Sequence, residues 1–182
     1  MNTCSKKLIF TPVTIRVLRF LSEDPANSFH GRQVAKSARV SSGAASLTLR
    51  SLHRSKLLEL ERRGGMKLYR IDLSNPVARQ FKVLFNLLFL EELVLALKEH
   101  TERVTLFGSS GEGTDGKDSD MDLFVLTTDA ARAKGVLRMF QKRLNRKLSP
   151  IIVDAGGLAR LRRDDPTLYE NISRGILLWQ RE

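Results

Sequence analysis

GSSGEGTDGKDSDMDL, residues 108–123, sets four aspartates and a glutamate against one lysine, in a stretch that also holds four glycines. The chain around it carries a formal charge of +11 over 182 residues, so this much negative charge in one loop needs a reason. The flanks read as strands. Val104 to Phe107 alternates into Gly108-Ser109, and MDLFVLT begins near Asp120. On an extended chain, residues two apart point to the same side, so the sequence predicts that Asp120 and Asp122 project together. Two adjacent carboxylates repel each other, and burying them unpaired is costly.

A divalent cation between the oxygens removes that repulsion. Mg²⁺ takes hard oxygen ligands, often one or two carboxylates completed by water and substrate phosphates. Gly108-Ser109 follow a strand and open a turn whose backbone N–H groups can face a phosphate. Metal ligands at one end and phosphate donors at the other make the loop a candidate nucleotide site.

The positive charge lies elsewhere. Residues 1–75 hold 14 Lys and Arg against 5 Asp and Glu, residues 76–100 hold 3 of each, and residues 101–182 hold 14 against 12. The excess belongs to the first 75 residues, and phosphate is the expected partner there. A hydrophobic fraction of 42% supports folded cores. The single cysteine, Cys4, excludes an internal disulfide framework and suits a reducing cytosol. MNTCSKKLIFTP lacks the apolar run of a signal peptide. Residues 81–98, the most apolar segment, are interrupted by Asn86 and Glu91-Glu92, which argues against a membrane span. A cytoplasmic location is expected.

The basic region has a readable order. Residues 11–24 show helical periodicity with Pro12 in the first turn. Residues 28–38 read as a short second helix. Ser41 or Ser42 caps a third over 43–55, with Ala45, Leu49 and Leu52 inward. Residues 57–73 alternate around Arg63-Gly64-Gly65, a hairpin with a basic tip. Three helices and a basic hairpin resemble a winged helix-turn-helix domain, most clearly over RQVAKSARVSSGAASLTLRSLHRSKLLELERRGGMKLYRI. The resemblance implies binding of double-stranded DNA, with the third helix in the major groove and the wing on the backbone or minor groove. By position, Ser42, Gly43, Ser46 and Arg50 would face DNA, and Arg62, Arg63 and Lys67 would serve the wing. Leu47 stands where a polar or basic residue is common, which weakens direct base reading. The alternative is a winged helix used only for protein contact.

Residues 76–100 read as one connecting helix, opened by Pro76 and apolar around nearly its whole circumference. Such a helix is expected to be buried on several sides, between domains, in the core of the second domain, or against a second copy in a homodimer.

LFGSSGEGTDGKDSDMDLFVL, residues 106–126, resembles the signature of minimal nucleotidyltransferases of the DNA polymerase β-type superfamily. The matching positions are Gly108, Ser109, Gly113, Ser119, Asp120, Asp122 and Leu123, and the ending YENISRGILLW is similar to the closing helix and strand of such domains. The resemblance implies transfer of a nucleoside monophosphate from an NTP, ATP being the expected one, with release of pyrophosphate. Gly108, Ser109, Ser110, Gly113 and Ser119 would line the nucleotide site, and Asp120 and Asp122 would hold Mg²⁺. A third carboxylate on a later strand is usual in active members. The later strand here is SPIIVD, whose only carboxylate is Asp154. Asp115 and Asp118 read as solvated turn formers and Asp164-Asp165 as a helix cap.

The expected protein is an α+β chain of two domains: a winged helix over 1–75, a long apolar linker or dimerisation helix over 76–100, and a small mixed-sheet nucleotidyltransferase fold over 101–182. The leading functional reading is a DNA-binding, regulator-like protein that transfers NMP to an unidentified acceptor. One alternative is a regulator whose second domain only binds nucleotide or dimerises. The other is an antitoxin-like enzyme that AMP-modifies a partner protein.

Overall fold

The computed structural model describes residues 11–182; Cys4 and most of the segment read for a signal peptide lie outside the described residues. Among the described residues there are eight α-helices and two sheets. The chain divides into two compact units, one ending at Lys82 and the other running from Val83 to Glu182. The division falls inside the long helix and not at either of its ends.

The first unit begins with α1 (Pro12–Glu23). Thr11 caps it by accepting the Thr14 N–H, and Pro12 occupies the first turn, where its missing donor costs nothing. A two-residue strand, β1 (Phe29–His30), precedes α2 (Gly31–Ser37). The second helix thus starts three residues later than its pattern suggests. His30 is spent as the N-cap in a capping box with Gln33, which fixes it as the last extended residue. α3 (Ser42–Arg54) is capped by Ser41. β2 (Leu58–Arg63) and β3 (Met66–Ile71) form a hairpin in register Arg63↔Met66, turning through Gly64 and Gly65 at φ of 54° and 77°. The sheet order is β1-β3-β2, all antiparallel. Val17, Leu18, Leu21, Val34, Ala45, Leu49, Leu52, Leu58, Tyr69 and Ile71 are buried.

α4 (Pro76–Leu97) starts where Asn75 accepts the Val77 and Ala78 N–H groups. Burial does not extend around its circumference. Val83, Leu90, Leu93, Val94 and Leu97 are buried, whereas Leu84, Leu88 and Leu95 are 43%, 57% and 56% exposed. Within the second unit one flank of the helix covers the sheet and the opposite flank is exposed. Among the described residues no helix is long and apolar enough to cross a membrane.

The second unit is built on β4 (Arg103–Phe107), β5 (Met121–Leu126), β6 (Leu148–Val153) and β7 (Ile176–Gln180), in the order β6-β5-β4-β7. β4 is antiparallel to β5 and β7, and β5 is parallel to β6. The β5–β6 crossover is α6 (Ala130–Gln141), and α7 (Ala155–Asp164) and α8 (Pro166–Ser173) join β6 to β7. Asp165 caps α8 by accepting the Leu168 N–H. Val104, Leu106, Met121, Leu123 and Val125 meet Leu90, Leu93, Leu97, Ala133 and Leu137 in one core, which fixes the strand ends that carry the acidic loop.

Leu49 is 1% exposed in the first unit's core. Leu49→Ala is expected to cost about 2–5 kcal/mol, the range for leucine truncation in a packed core, measured as a lower denaturant midpoint for that unit.

Candidate functional site

The end of β4 and the start of β5 are register partners, Phe107 opposite Asp122. The chain leaves β4 through Gly108 at φ 63°, in the left-handed region that favours glycine. A Cβ there would stand 2.6 Å from Asp122 Oδ2, so only glycine lets the turn pass beside that carboxylate. A one-turn helix, α5 (Gly108–Glu112), follows and ends in Gly113 at φ 70°, whose N–H reaches the Ser109 carbonyl. Both glycines of the turn therefore have a backbone reason to be glycine.

The loop from Gly113 to Asp120 is held from beneath. Asp115, expected to be solvated, is 1% exposed and pairs with Arg146 at 2.9 Å. Asn86, on α4, donates to Asp115 Oδ1 and to the Ser110 carbonyl, both at 2.9 Å, and accepts from Arg146 at 3.1 Å. Arg146 also donates to the Ser119 carbonyl at 3.1 Å, and Ser110 Oγ lies 3.3 Å from the Asp120 carbonyl. A carboxylate inside a protein is tolerated only with a charge partner and satisfied lone pairs. The guanidinium supplies the charge, and the Asn86 amide satisfies one carboxylate oxygen. Asn86 and Arg146 carry no sequence signal: an interruption in an apolar helix and one basic residue in the run KRLNRK look like surface chemistry.

Above this network stand the two aspartates. Asp120 lies just before β5 and Asp122 within it, half-buried. Burial pushes the Asp122 carboxyl above its ordinary range, and the Asp120 charge pushes it the same way; a Ser149 hydrogen bond and the Lys147 charge oppose the shift. Lys147 Nζ sits 2.6 Å from Asp120 Oδ2, and that hydrogen bond with the carboxylate's charge raises its own pKa. Ser149 is the register partner of Asp122 on β6.

The structure brings together Gly108, Ser109, Ser110, Gly113, Ser119, Asp120 and Asp122, in two roles. Ser110 and Gly113 are buried, and Ser119 Oγ accepts the Gly116 N–H at 2.9 Å. These three shape the loop. Gly108, Ser109, Asp120 and Asp122 stay partly exposed and available to a ligand. Asp154 does not join them. It follows β6 by one residue and caps α7 through the Gly157 N–H at 2.6 Å. It lies five residues past Ser149 in a strand parallel to β5, roughly 16 Å along the sheet at the rise of a strand. Among the described residues no group of three or more His, Cys, Asp and Glu side chains could hold a metal. The donor set fits one hard cation: two neighbouring carboxylates, one half-buried and disfavoured when charged, beside the Gly108 turn.

In the first unit, Ser42, Gly43, Ser46, Arg50, Arg62, Arg63 and Lys67 are all exposed. Arg63 pairs with Glu61 at 2.9 Å, and Arg50 Nε donates to the Ser46 carbonyl at 3.3 Å. Leu47 is also exposed, beside Arg50, Arg54 and Lys67 in a shallow depression between α3 and the hairpin.

Because its pKa is raised in the folded state, Asp122 stabilises the fold only at low pH. Its contribution falls as pH rises from the ordinary carboxylate value of 3.8 through the elevated one. Asp122→Asn should therefore raise the thermal midpoint at neutral pH, without metal or nucleotide, by about 1–3 °C, and flatten the decline of stability above pH 4. Arg146→Met leaves Asp115 buried with its charge unmatched and should cost about 3–5 kcal/mol in denaturant unfolding of the second unit.

Residues 90–174 match the family model of the nucleotidyltransferase domain. No curated protein matches the chain significantly. Among solved structures, the crystal structure of the AntR antimony-specific transcriptional repressor is similar over 49% of this chain and 78% of that chain, at 21% identity and a TM-score of 0.41. The matched family segment takes in the glycine turn, both aspartates and the Asp115–Arg146 pair, so the second unit carries a nucleotidyltransferase domain.

Proposed function

We propose that the second unit binds an NTP, with ATP as the expected one, together with Mg²⁺, and transfers its NMP to an acceptor. The observation that carries this reading is the Asp120/Asp122 pair beside the Gly108 turn, where an added Cβ would stand 2.6 Å from Asp122 Oδ2. Asp120 and Asp122 would hold the cation, which supplies neutralisation of the charge that builds on the phosphates in an in-line displacement. Ser109 and backbone N–H groups of the turn would orient the β- and γ-phosphates. An acceptor hydroxyl oxygen bonds the α-phosphorus while the α–β bridging bond breaks. The electron pair leaves on pyrophosphate, and the acceptor's proton passes to water.

A second reading has its own support. Asp154 caps a helix away from the pair, and Ser149 stands level with Asp122. Without a third carboxylate the unit would bind nucleotide and transfer it slowly or not at all, acting as a sensor.

We propose that the first unit is a winged helix that docks on double-stranded DNA, with Ser42, Gly43, Ser46 and Arg50 of α3 towards the major groove and Arg62, Arg63 and Lys67 of the hairpin on the backbone. The exposure of all seven supports this, as does the concentration of positive charge before residue 76. The exposed stripe Leu84, Leu88 and Leu95 supports a homodimer. A cytoplasmic protein of this kind would couple regulation to a nucleotide; a partner protein as acceptor is the remaining form of the enzyme reading.

Calorimetry of Mg·ATP against wild type and Asp122→Asn tests the nucleotide site. Saturable binding lost in the variant is expected, and no binding by folded wild type rejects the site. Labelled NMP incorporation that requires both Asp120 and Asp122 separates transferase from sensor. For DNA, each of Arg62→Ala and Lys67→Ala should lower the slope of log affinity against log salt by about one, measured by fluorescence anisotropy on a random duplex.

A further inference from the structure

Lys147 is fixed to the acidic pair by its backbone and not only by its side chain. Its carbonyl accepts the N–H of Met121, the residue between Asp120 and Asp122, at 2.8 Å. The next residue, Leu148, begins β6 opposite Met121. The preceding residue, Arg146, is pinned to Asp115, Asn86 and the Ser119 carbonyl. The stem of Lys147 is therefore anchored on both sides, while its side chain is 73% exposed and its ammonium lies on Asp120. Lysine is a mobile point charge on a flexible stem, and here that charge already stands against a carboxylate that a divalent cation would need.

The charges then set a condition. With both carboxylates ionised, Asp120, Asp122 and Lys147 carry a formal net charge of minus one. A bare divalent cation would turn this to plus one and leave the ammonium without its carboxylate and facing the cation. A triphosphate arriving with the cation reverses both effects, because it brings negative charge and offers the displaced ammonium new oxygen partners.

We propose that Lys147 is a specificity-determining residue that makes the site refuse a free divalent cation and accept it jointly with a triphosphate, by moving from Asp120 to the phosphates. This rests on the nucleotide-site reading above and adds to it the order of recognition. Lys147 exchanges one anionic partner for another, and cation and nucleotide each tighten the other by the same factor.

The test is Mn²⁺ binding to the full chain, followed by the paramagnetic resonance of free Mn²⁺, with and without a non-hydrolysable ATP analogue, in wild type, Lys147→Met and Lys147→Arg. Wild type should bind Mn²⁺ alone weakly and at least about tenfold more tightly with the analogue. Lys147→Met should bind Mn²⁺ alone about fivefold more tightly, the scale of one exposed ion pair, and lose most of the enhancement; Lys147→Arg should keep it. Unchanged Mn²⁺ binding and enhancement in Lys147→Met would overturn the role of Lys147 while leaving the nucleotide site standing. Wild type that binds neither Mn²⁺ nor Mn²⁺ with the analogue would overturn both. The substitution is on an exposed side chain, and an unchanged thermal midpoint confirms that the variants are folded.

Discussion

The arrangement of the second unit depends on one buried ion pair, Arg146 on Asp115. An eight-residue loop from Gly113 to Asp120 has no strand or long helix of its own, and a loop of this length is free to sample many conformations unless something orders it. The guanidinium and the Asn86 amide reach the backbone or side chains of Ser110, Asp115 and Ser119. Those contacts convert a flexible acidic connection into a fixed mount for Asp120. Such a pair adds little to net stability once desolvation is counted, but removing either partner is severe. Its value lies in specifying one loop conformation.

On that mount, two features conflict with stability. Gly108 gives up side-chain packing to pass within contact of Asp122, and Asp122 carries a charge its half-buried position disfavours. Folding alone would have replaced both with something milder. Strain of this kind is retained where a ligand relieves it, and under the proposed function a cation would offset the Asp122 charge. Lys147 sets a positive charge against Asp120. The site is thus balanced by residues of the chain itself, not left as bare negative charge.

The first unit follows a different economy of residues. Its core is aliphatic, its caps are local, and Arg50 and Arg54 of α3 and Arg62, Arg63 and Lys67 of the β2–β3 hairpin are exposed. Exposed basic side chains contribute little to folding and are free to serve an anionic surface. The apolar stripe of α4 is the opposite case, since exposed leucines at this spacing gain nothing from water.

Much of this was legible from the sequence because the signals are local. Pro12 and Ser41 each act through groups within three residues, and the Gly64-Gly65 hairpin declares itself by alternation and backbone freedom. The GS turn and the Asp120/Asp122 pair share this character, because strand alternation alone sets two side chains on one side. What the sequence could not decide were the partners of buried charge and the level of one strand against another. Asp115 looks like any loop aspartate until Arg146, thirty-one positions away, is seen to cover it. Asp154 looks like a third carboxylate until the parallel register sets Ser149 level with Asp122 and sends Asp154 to the other end of the strand. Local backbone chemistry is written in neighbouring residues. Charge pairing and strand register come from long-range packing, and only the tertiary structure settles them.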